Sequence, residues 1–356
     1  MAVRTMKFLA ATVSAIAVIG LGLAASPANA AKGPACGEAC LKGYMDGYLD
    51  ALAKHAPAKV PVAKRYRYTE NGAQIDLGEG LWATFNSWGK YRHDVFDTET
   101  GGVVSYLSLT ENHEIPFDDL IEIRLKIVDR KITEIETVVN RHAAGAKNLP
   151  ATDPEWNRIM ERVEPAKTRL TRAQLIKGAI DYMRAVAFAN GDLAPFAESC
   201  IRLENGNITA IGPHDTPPVT MGSGPPGADL AAAAKGAEKP QLMGTGCGKQ
   251  LAYRSYSFIT GYEDAHFPVV DVKRQIVFAT FDFMRRGDVE SWSYKGNKFA
   301  MPQGMREPNE ILNTEYFKYV DGKISRVEAV FTGPQAYRRG TGWPGGTKPV
   351  SRPVGK

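Results

Sequence analysis

Apolar positions fall on a helical stripe twice in this chain. Leu41, Tyr44, Met45, Tyr48, Leu49 and Leu52 recur at the three- and four-residue spacing of an amphipathic helix, with Lys42, Asp46, Asp50 and Lys54 outside the stripe. Residues 175–188 repeat that one-sided pattern. Short strands follow each helix. Residues 121–139 read as a hairpin with Asp129 and Arg130 at its tip, and 316–331 as a second hairpin turning on Asp321-Gly322, a favoured two-residue turn. Strand 103–109 alternates, whereas 275–283 is apolar at nearly every position, as in a strand covered on both faces. A long helix followed by an antiparallel sheet is an α+β layout.

The two halves are copies. Leu41-Lys42-Gly43-Tyr44-Met45-Asp46 matches Ile176-Lys177-Gly178-Ala179-Ile180-Asp181, and Glu70-Asn71-Gly72 matches Glu204-Asn205-Gly206. Phe96-Asp97 before Val103-Val104 matches Val270-Asp271 before Ile276-Val277, and Lys126-Ile127-Val128-Asp129 matches Lys318-Tyr319-Val320-Asp321. Glu204 follows Glu70 by 134 residues, Asp271 follows Asp97 by 174, and Asp321 follows Asp129 by 192. The order never changes while the spacing grows, so the second copy carries insertions, placed near 213–250 and 287–308. Surface loops take such insertions readily. The expected domains are 31–140 and 172–337, with a linker at 141–171 and a flexible tail at 338–356. In the linker, Asp153 caps a short helix that starts at Pro154, and Trp156 packs it onto a domain.

A length of 356 residues suits two domains, and 44% hydrophobic with 23% charged residues is a globular balance. The net charge of +5 spreads 44 basic among 39 acidic residues. No dense basic block interleaves with aromatics, so no nucleic-acid partner is expected. Residues 1–30 read as a secretory signal: Arg4 and Lys7 precede a small, apolar stretch at 8–25, and Ala28-Asn29-Ala30 is an A-x-A cleavage site. No later stretch approaches the roughly 20 apolar residues of a membrane span, so no stable membrane insertion is expected. The address is periplasmic or secreted. Cys36, Cys40, Cys200 and Cys247 allow three disulfide pairings; chain proximity favours Cys36 with Cys40, and Cys200 with Cys247. Cys36 can sit in the unwound entry to the helix and Cys40 in its first turn. No histidine stands near them at zinc spacing, and no metal site is expected.

These motifs resemble the nuclear transport factor 2-like superfamily, also called SnoaL-like or cystatin-like. The resemblance rests on Gly47-Tyr48-Leu49-Asp50-Ala51-Leu52, Tyr68-Thr69-Glu70-Asn71-Gly72, Leu77-Gly78-Glu79-Gly80-Leu81-Trp82 and the closing Asp-x-Lys-Ile hairpins. A closer likeness is to a group of tandem, often secreted members with Glu-Asn-Gly and Phe-Pro-Val-Val-Asp signatures, over about residues 36–140 and 170–337. It implies two tandem cones, each a long helix packed on a curved antiparallel sheet. Members commonly dimerise through the outer sheet face, which implies an intrachain pseudo-dimer here. On that face Glu122, Arg124, Lys126, Glu134 and Glu136 are candidates to pair with Lys318, Arg326 and Glu328; a solvated polar face is the alternative. Members include isomerases, dehydratases, epoxide hydrolases, cyclases and plain binding proteins, so the resemblance speaks to fold more than to function.

His93 shares a strand face with Tyr91 and Val95 and is a candidate general base in a cone interior; a strand histidine making one hydrogen bond is the structural alternative. Asp264 and His266, two apart, share a face and form a candidate proton-transfer pair in the second copy, set against an ordinary loop before a strand. Tyr48, Trp82, Tyr91 and Tyr182 are candidate ligand walls, although most such aromatics are core. The Glu-Asn-Gly repeats are explained as turns. No nucleophile elbow, phosphate loop or dinucleotide fingerprint is present, and no cofactor is expected. Two functions remain: a cofactor-independent lyase or isomerase for a small apolar or aromatic molecule, or a non-catalytic periplasmic binding or interaction protein.

Overall fold

The computed structural model describes residues 36–354 except 113–117, 142, 144, 147–148, 150–153, 213–245, 255, 295 and 338. The expected signal at 1–30, most of the insertion expected near 213–250, Asp153 and the side chain of Trp156 therefore lie outside the described residues. In the first cone, α1 (Glu38–Ala53) precedes β1 (Val62–Glu70), β2 (Ala73–Gln74), the short α2 (Leu81–Thr84), β3 (Phe85–Asp97), β4 (Gly102–Glu111), β5 (Asp118–Val128) and β6 (Lys131–Asn140). After α3 (Pro154–Glu161), the second cone runs α4 (Arg172–Ala187), β7 (Phe196–Glu204), β8 (Asn207–Ala210), α5 (Cys247–Ala252), β9 (Gly261–Asp271) and β10 (Ile276–Arg285). The hairpin β11 (Ser291–Tyr294) and β12 (Asn297–Ala300) lies within 287–308, where an insertion is expected, before β13 (Asn309–Val320) and β14 (Lys323–Phe331).

One sheet has the order β2-β1-β6-β5-β4-β3. The other is its repeat, β9-β10-β13-β14-β7-β8, with the two-residue β15 (Val350–Ser351) added outside β9. Both sheets are antiparallel but for one pair each, β1 beside β6 and β7 beside β14. These parallel pairs arise because β1 and β7 enter after a helix and not through the tight turn that makes neighbours antiparallel. The hairpin tips fall where the sequence places them: Asp129 and Arg130 have φ of 47° and 60°, and Asp321 and Gly322 have 48° and 76°. Both are turns that require positive φ at two successive residues.

Each helix covers one face of its sheet. Leu41, Met45, Tyr48, Leu49 and Leu52 of α1 pack on Phe96, Val103, Leu107, Ile121, Ile123 and Leu125. Leu175, Ala179, Tyr182 and Val186 of α4 meet Val277, Phe281, Phe317 and Val327. Thr171 opens α4 with a capping box, its hydroxyl accepting from the Gln174 amide while the Gln174 side chain accepts from the Thr171 amide. The opposite sheet faces meet each other. Tyr91, Val95, Val104, Tyr106 and Val138 of the first cone share one apolar cluster with Ile201, Val269, Ile276, Phe278, Leu312 and Tyr316 of the second. Strand β10 is largely apolar because its odd residues up to Phe283 face α4 while Ile276 and Phe278 face this seam.

The expected cross-cone charge pairs take another form. Arg124 pairs within its own cone to Glu134 (2.6 Å) and Glu136 (2.7 Å), and Lys318 reaches Glu164 at 3.3 Å. Lys126 donates to the Thr100 carbonyl. Arg326 binds Glu328 at 2.6 Å. Glu328 does cross the seam, but to His93 and Tyr91 at 3.0 and 2.9 Å and not to a basic residue of β5. The cones are linked instead by Arg172–Asp97 (2.6 Å), Arg274–Glu38 (2.5 Å) and Asn140 Nδ2 donating to the Phe331 carbonyl (2.6 Å).

The described part of 338–356 is a docked strap, and the expectation of a flexible tail is corrected. Asp264 Oδ2 accepts from the Thr341 amide and hydroxyl at 2.9 and 2.7 Å, and Val350 pairs with Tyr262 on β9. Arg67 of the first cone donates to the Gly342 carbonyl. A Cβ on Gly346 would lie 2.0 Å from Asp264 Oδ1, so only glycine lets the strap approach.

Both disulfides form as chain proximity suggests, Cys36–Cys40 with Cα atoms 5.3 Å apart and Cys200–Cys247 with 5.4 Å. Cys36 precedes α1 and Cys40 lies in its first turn. The Cys200–Cys247 bond ties α5 to β7 across a separation of 47 residues. Replacing both cysteines with serine is expected to lower stability by about 2–4 kcal/mol, read as a lower urea midpoint. An unchanged midpoint would mean that packing of α5 alone holds this corner.

Candidate functional site

A cavity of about 60 Å³ opens inside the second cone, room for roughly four waters. Strand alternation builds its floor. Ile311, Asn313, Glu315 and Phe317 of β13 point toward α4, while Leu312 and Tyr316 point to the seam. Glu315 is flanked across the sheet by Ala279 and Ala329, whose small side chains leave space beside the carboxyl. In the first cone the matching position is Ile123, flanked by Ser105 and Thr137, so the acid belongs to the second copy alone. Tyr182 of α4, Arg202 and Glu204 of β7, and Tyr256, Phe258 and Ile259 before β9 complete the lining. Glu204, Arg285 and Phe331 are partly exposed and mark the mouth.

The cavity's charges are fixed from all sides. Arg202 is 1% exposed. Its Nε lies 2.9 Å from Glu204 Oε1 and 3.2 Å from the Thr209 hydroxyl, and its Nη2 donates to both the Gln250 side-chain oxygen and the Tyr256 hydroxyl. Its guanidinium also stacks 4.7 Å from the Tyr256 ring centroid. Burial works against the charge, but Tyr256 and Glu204 outweigh it and hold the arginine protonated. Glu315 has the opposite fate. Burial, reinforced by the Glu204 carboxylate, raises its pKa to about 8, and its Oε2 has no hydrogen-bond partner among the described residues. Burial also lowers Arg285 to about 10; its guanidinium lies 4.9 Å from the Phe258 ring centroid. The cavity thus holds a neutral carboxylic acid, a permanent cation and a carboxylate between aromatic walls. That combination can hydrogen-bond a carbonyl oxygen and stabilise negative charge developing on it.

Of the residues singled out in the sequence, the structure brings only Tyr182 to this cavity. His93 lies in the seam and not in a cone interior, a correction to its expected position. Its Nε2 is 3.0 Å from Glu328 Oε2, and its ring packs on Tyr106 and Tyr316 at 5.5 and 4.9 Å. Tyr91 points the same way and donates to Glu328 at 2.9 Å. Both faces of β3 carry apolar neighbours, which is why alternation grouped Tyr91, His93 and Val95 correctly yet left their direction open. Burial opposes ionisation of Glu328, but Arg326, His93 and Tyr91 overcome it and bring its pKa to about 2. Tyr48 and Trp82 pack in the first cone, Trp82 Nε1 donating to the Tyr48 hydroxyl at 3.1 Å, with both side chains at most 2% exposed. Asp264 and His266 do meet, at 3.2 Å, on the outer side of β9 beneath the strap.

Arg202, Glu204 and Glu315 are the residues that sequence reasoning missed. Glu204 belongs to the Glu-Asn-Gly repeat, where the turn explains the Asn-Gly pair but not the acid before it. Its counterpart Glu70 also serves its cone, accepting from the Leu81 amide at 2.8 Å and pairing with Arg141 at 2.9 Å.

No curated protein matches the chain in sequence. Among solved structures, IdmH from Streptomyces antibioticus is 16% identical over 28% of this chain and 91% of its own, with a TM-score of 0.24. An NTF2-like protein from Burkholderia thailandensis is 13% identical over 30% of this chain and 96% of its own, with a TM-score of 0.25. A protein with a cystatin-like fold from Methylobium petroleophilum is 13% identical over 47% of this chain and 82% of its own, with a TM-score of 0.26. The profile of one family spans both cones, matching residues 37–139 and 168–331, and the chain belongs to that family, described as a domain of unknown function (DUF8021).

Proposed function

We infer that this is an exported, cofactor-independent isomerase or lyase that acts on a small apolar or aromatic carbonyl compound in the second cone. The A-N-A segment and the two disulfides support export. The observation that carries the activity is the meeting of Glu315 and Arg202 in one apolar-walled cavity. Glu315, protonated at neutral pH, donates a hydrogen bond to the substrate carbonyl, and Arg202 supplies positive charge behind it. Glu204 at the mouth takes a proton from the carbon beside that carbonyl. Returning the proton to another carbon completes an isomerisation; expelling a neighbouring hydroxyl as water completes a dehydration. The cavity takes the polar head, and the body of the substrate lies between Phe331 and Arg285. His93 and the Asp264–His266 pair take no part.

A thermal-shift screen of small aromatic and unsaturated ketones against the mature chain identifies ligands. Deuterium exchange into a bound ligand, followed by NMR, then separates turnover from binding. Glu315→Gln keeps the shape but removes the ionisable proton, and is expected to slow exchange by about 10²–10⁴-fold. Exchange in the wild type is expected to fall as the pH passes about 8, where Glu315 loses its proton. Unchanged exchange in Glu315→Gln would sink the mechanism. The second reading, a non-catalytic binding protein, is favoured by one observation: Glu204 is already committed to Arg202 at 2.9 Å. Saturable binding without deuterium uptake would establish it.

A further inference from the structure

A larger hollow lies outside both cones. It is a groove of about 590 Å³ bounded by Arg65 and Arg67 of β1, Arg124 of β5, Phe267 of β9 and Trp343 of the strap. That volume falls in the range of small-molecule sites, roughly 300–1,000 Å³. Its charges do not cancel. Arg124 is neutralised by Glu134 and Glu136, at 2.6 and 2.7 Å. Among the described residues Arg67 bonds neutral acceptors alone, the Gln74 side chain at 2.8 Å and the Gly342 carbonyl. Arg65 is exposed and has no ion pair among the described residues. Three arginines against two glutamates leave the groove with one surplus positive charge, and neither Arg65 nor Arg67 has a carboxylate paired to it among the described residues.

The walls are already set. Arg67 and Arg124 lie 5.3 and 4.6 Å from the Trp343 ring centroid, a stack that holds the indole in place. Tyr66, Phe267, Pro268 and Pro344 add flat apolar surface. His266 is oriented by Asp264 at 3.2 Å, and the same carboxylate anchors the strap through Thr341.

We propose that this groove binds small aromatic monocarboxylates, the ring lying against Trp343 and Phe267 and the carboxylate meeting Arg65 and Arg67. A planar guanidinium matches a carboxylate in two parallel hydrogen bonds. Glu134 and Glu136 at the same groove disfavour a dianion such as phosphate, and the aromatic walls favour a ring over an aliphatic acid. The site is separate from the cone cavity and does not depend on the reaction assigned to it.

Benzoate titrated into the full mature chain tests this by calorimetry and tryptophan fluorescence. One saturable site per chain is expected, with little competition from inorganic phosphate. Arg65→Gln, an exposed change without structural partners, and Arg67→Gln are each expected to weaken binding at least about tenfold. Trp343→Phe is expected to abolish the fluorescence change while calorimetric binding persists. Absence of saturable binding to the wild type overturns the proposal. So does binding that survives Arg65→Gln and Arg67→Gln unchanged, or that is lost in Glu315→Gln while both arginine variants retain it, which would locate benzoate in the cone.

Discussion

Raising the pH from about 5 to about 8 is expected to destabilise the fold by several kcal/mol, and Glu315→Gln is expected to remove much of that loss. Burial, with Glu204 adding repulsion, raises the Glu315 pKa from 4.5 to about 8. Between those values the folded chain keeps a proton that the unfolded chain has released. Stability is therefore full below the lower value and declines as the pH rises through the window, by on the order of 4 kcal/mol for this group. Asp282 acts in the same direction, raised from 3.8 to about 8 by burial and by the Glu310, Asp264 and Glu263 carboxylates. Urea unfolding at a series of pH values measures both. The Glu315→Gln curve should draw level with wild type near pH 5 and stand above it near pH 8, whereas parallel curves would show that Glu315 ionises normally.

Glu328→Gln is expected to cost about 3–5 kcal/mol. Glu328 and Arg326 are both fully buried in the seam, 2.6 Å apart, and the same carboxylate accepts from Tyr91. Removing the negative charge takes away the carboxylate 2.6 Å from a fully buried arginine and the acceptor of the Tyr91 hydroxyl and of His93. Replacing the pair together, with Arg326→Met and Glu328→Leu, takes both charges out and is expected to recover part of the loss, the rest going to Tyr91 and His93, which lose their acceptor. The urea midpoint of each variant reads the effect, with an unchanged slope confirming that only stability moved. If the single variant costs no more than the double, the ion pair is not what holds the seam.

The architecture was readable because its cues are local. The α1 stripe, the two-residue turns at Asp129 and Asp321, and the ordered repeat each depend on neighbours in sequence. The candidate site was not, and the reason is the seam. In an ordinary half-buried strand, a polar residue among apolar ones declares which face meets water. In β13 both faces are covered, so Glu315 toward the cavity and Tyr316 toward the other cone carry no such label. His93 failed for the same reason, its face correctly grouped but its direction undetermined. Arg202 offered still less, because of the groups that hold its charge inside the cone only Glu204 is near in sequence, while Gln250 and Tyr256 join it only in the fold.

The two Asn-Gly turns also bear on how the molecule ages. Asn71 donates through Nδ2 to the Val139 carbonyl at 3.2 Å and accepts from the Val139 amide at 2.8 Å; Asn205 does the same with Phe331, at 3.2 and 2.9 Å. Each side-chain amide stands in for a length of strand. Asparagine before glycine is the pair most open to spontaneous deamidation, which replaces the donating nitrogen with a negative oxygen. Here that oxygen would face a backbone carbonyl it can only repel, at the corner where β1 meets β6 or β7 meets β14. Slow chemical damage at either turn would thus unfasten the parallel strand that carries Glu70 or Glu204, giving each cone a weak point set by covalent chemistry.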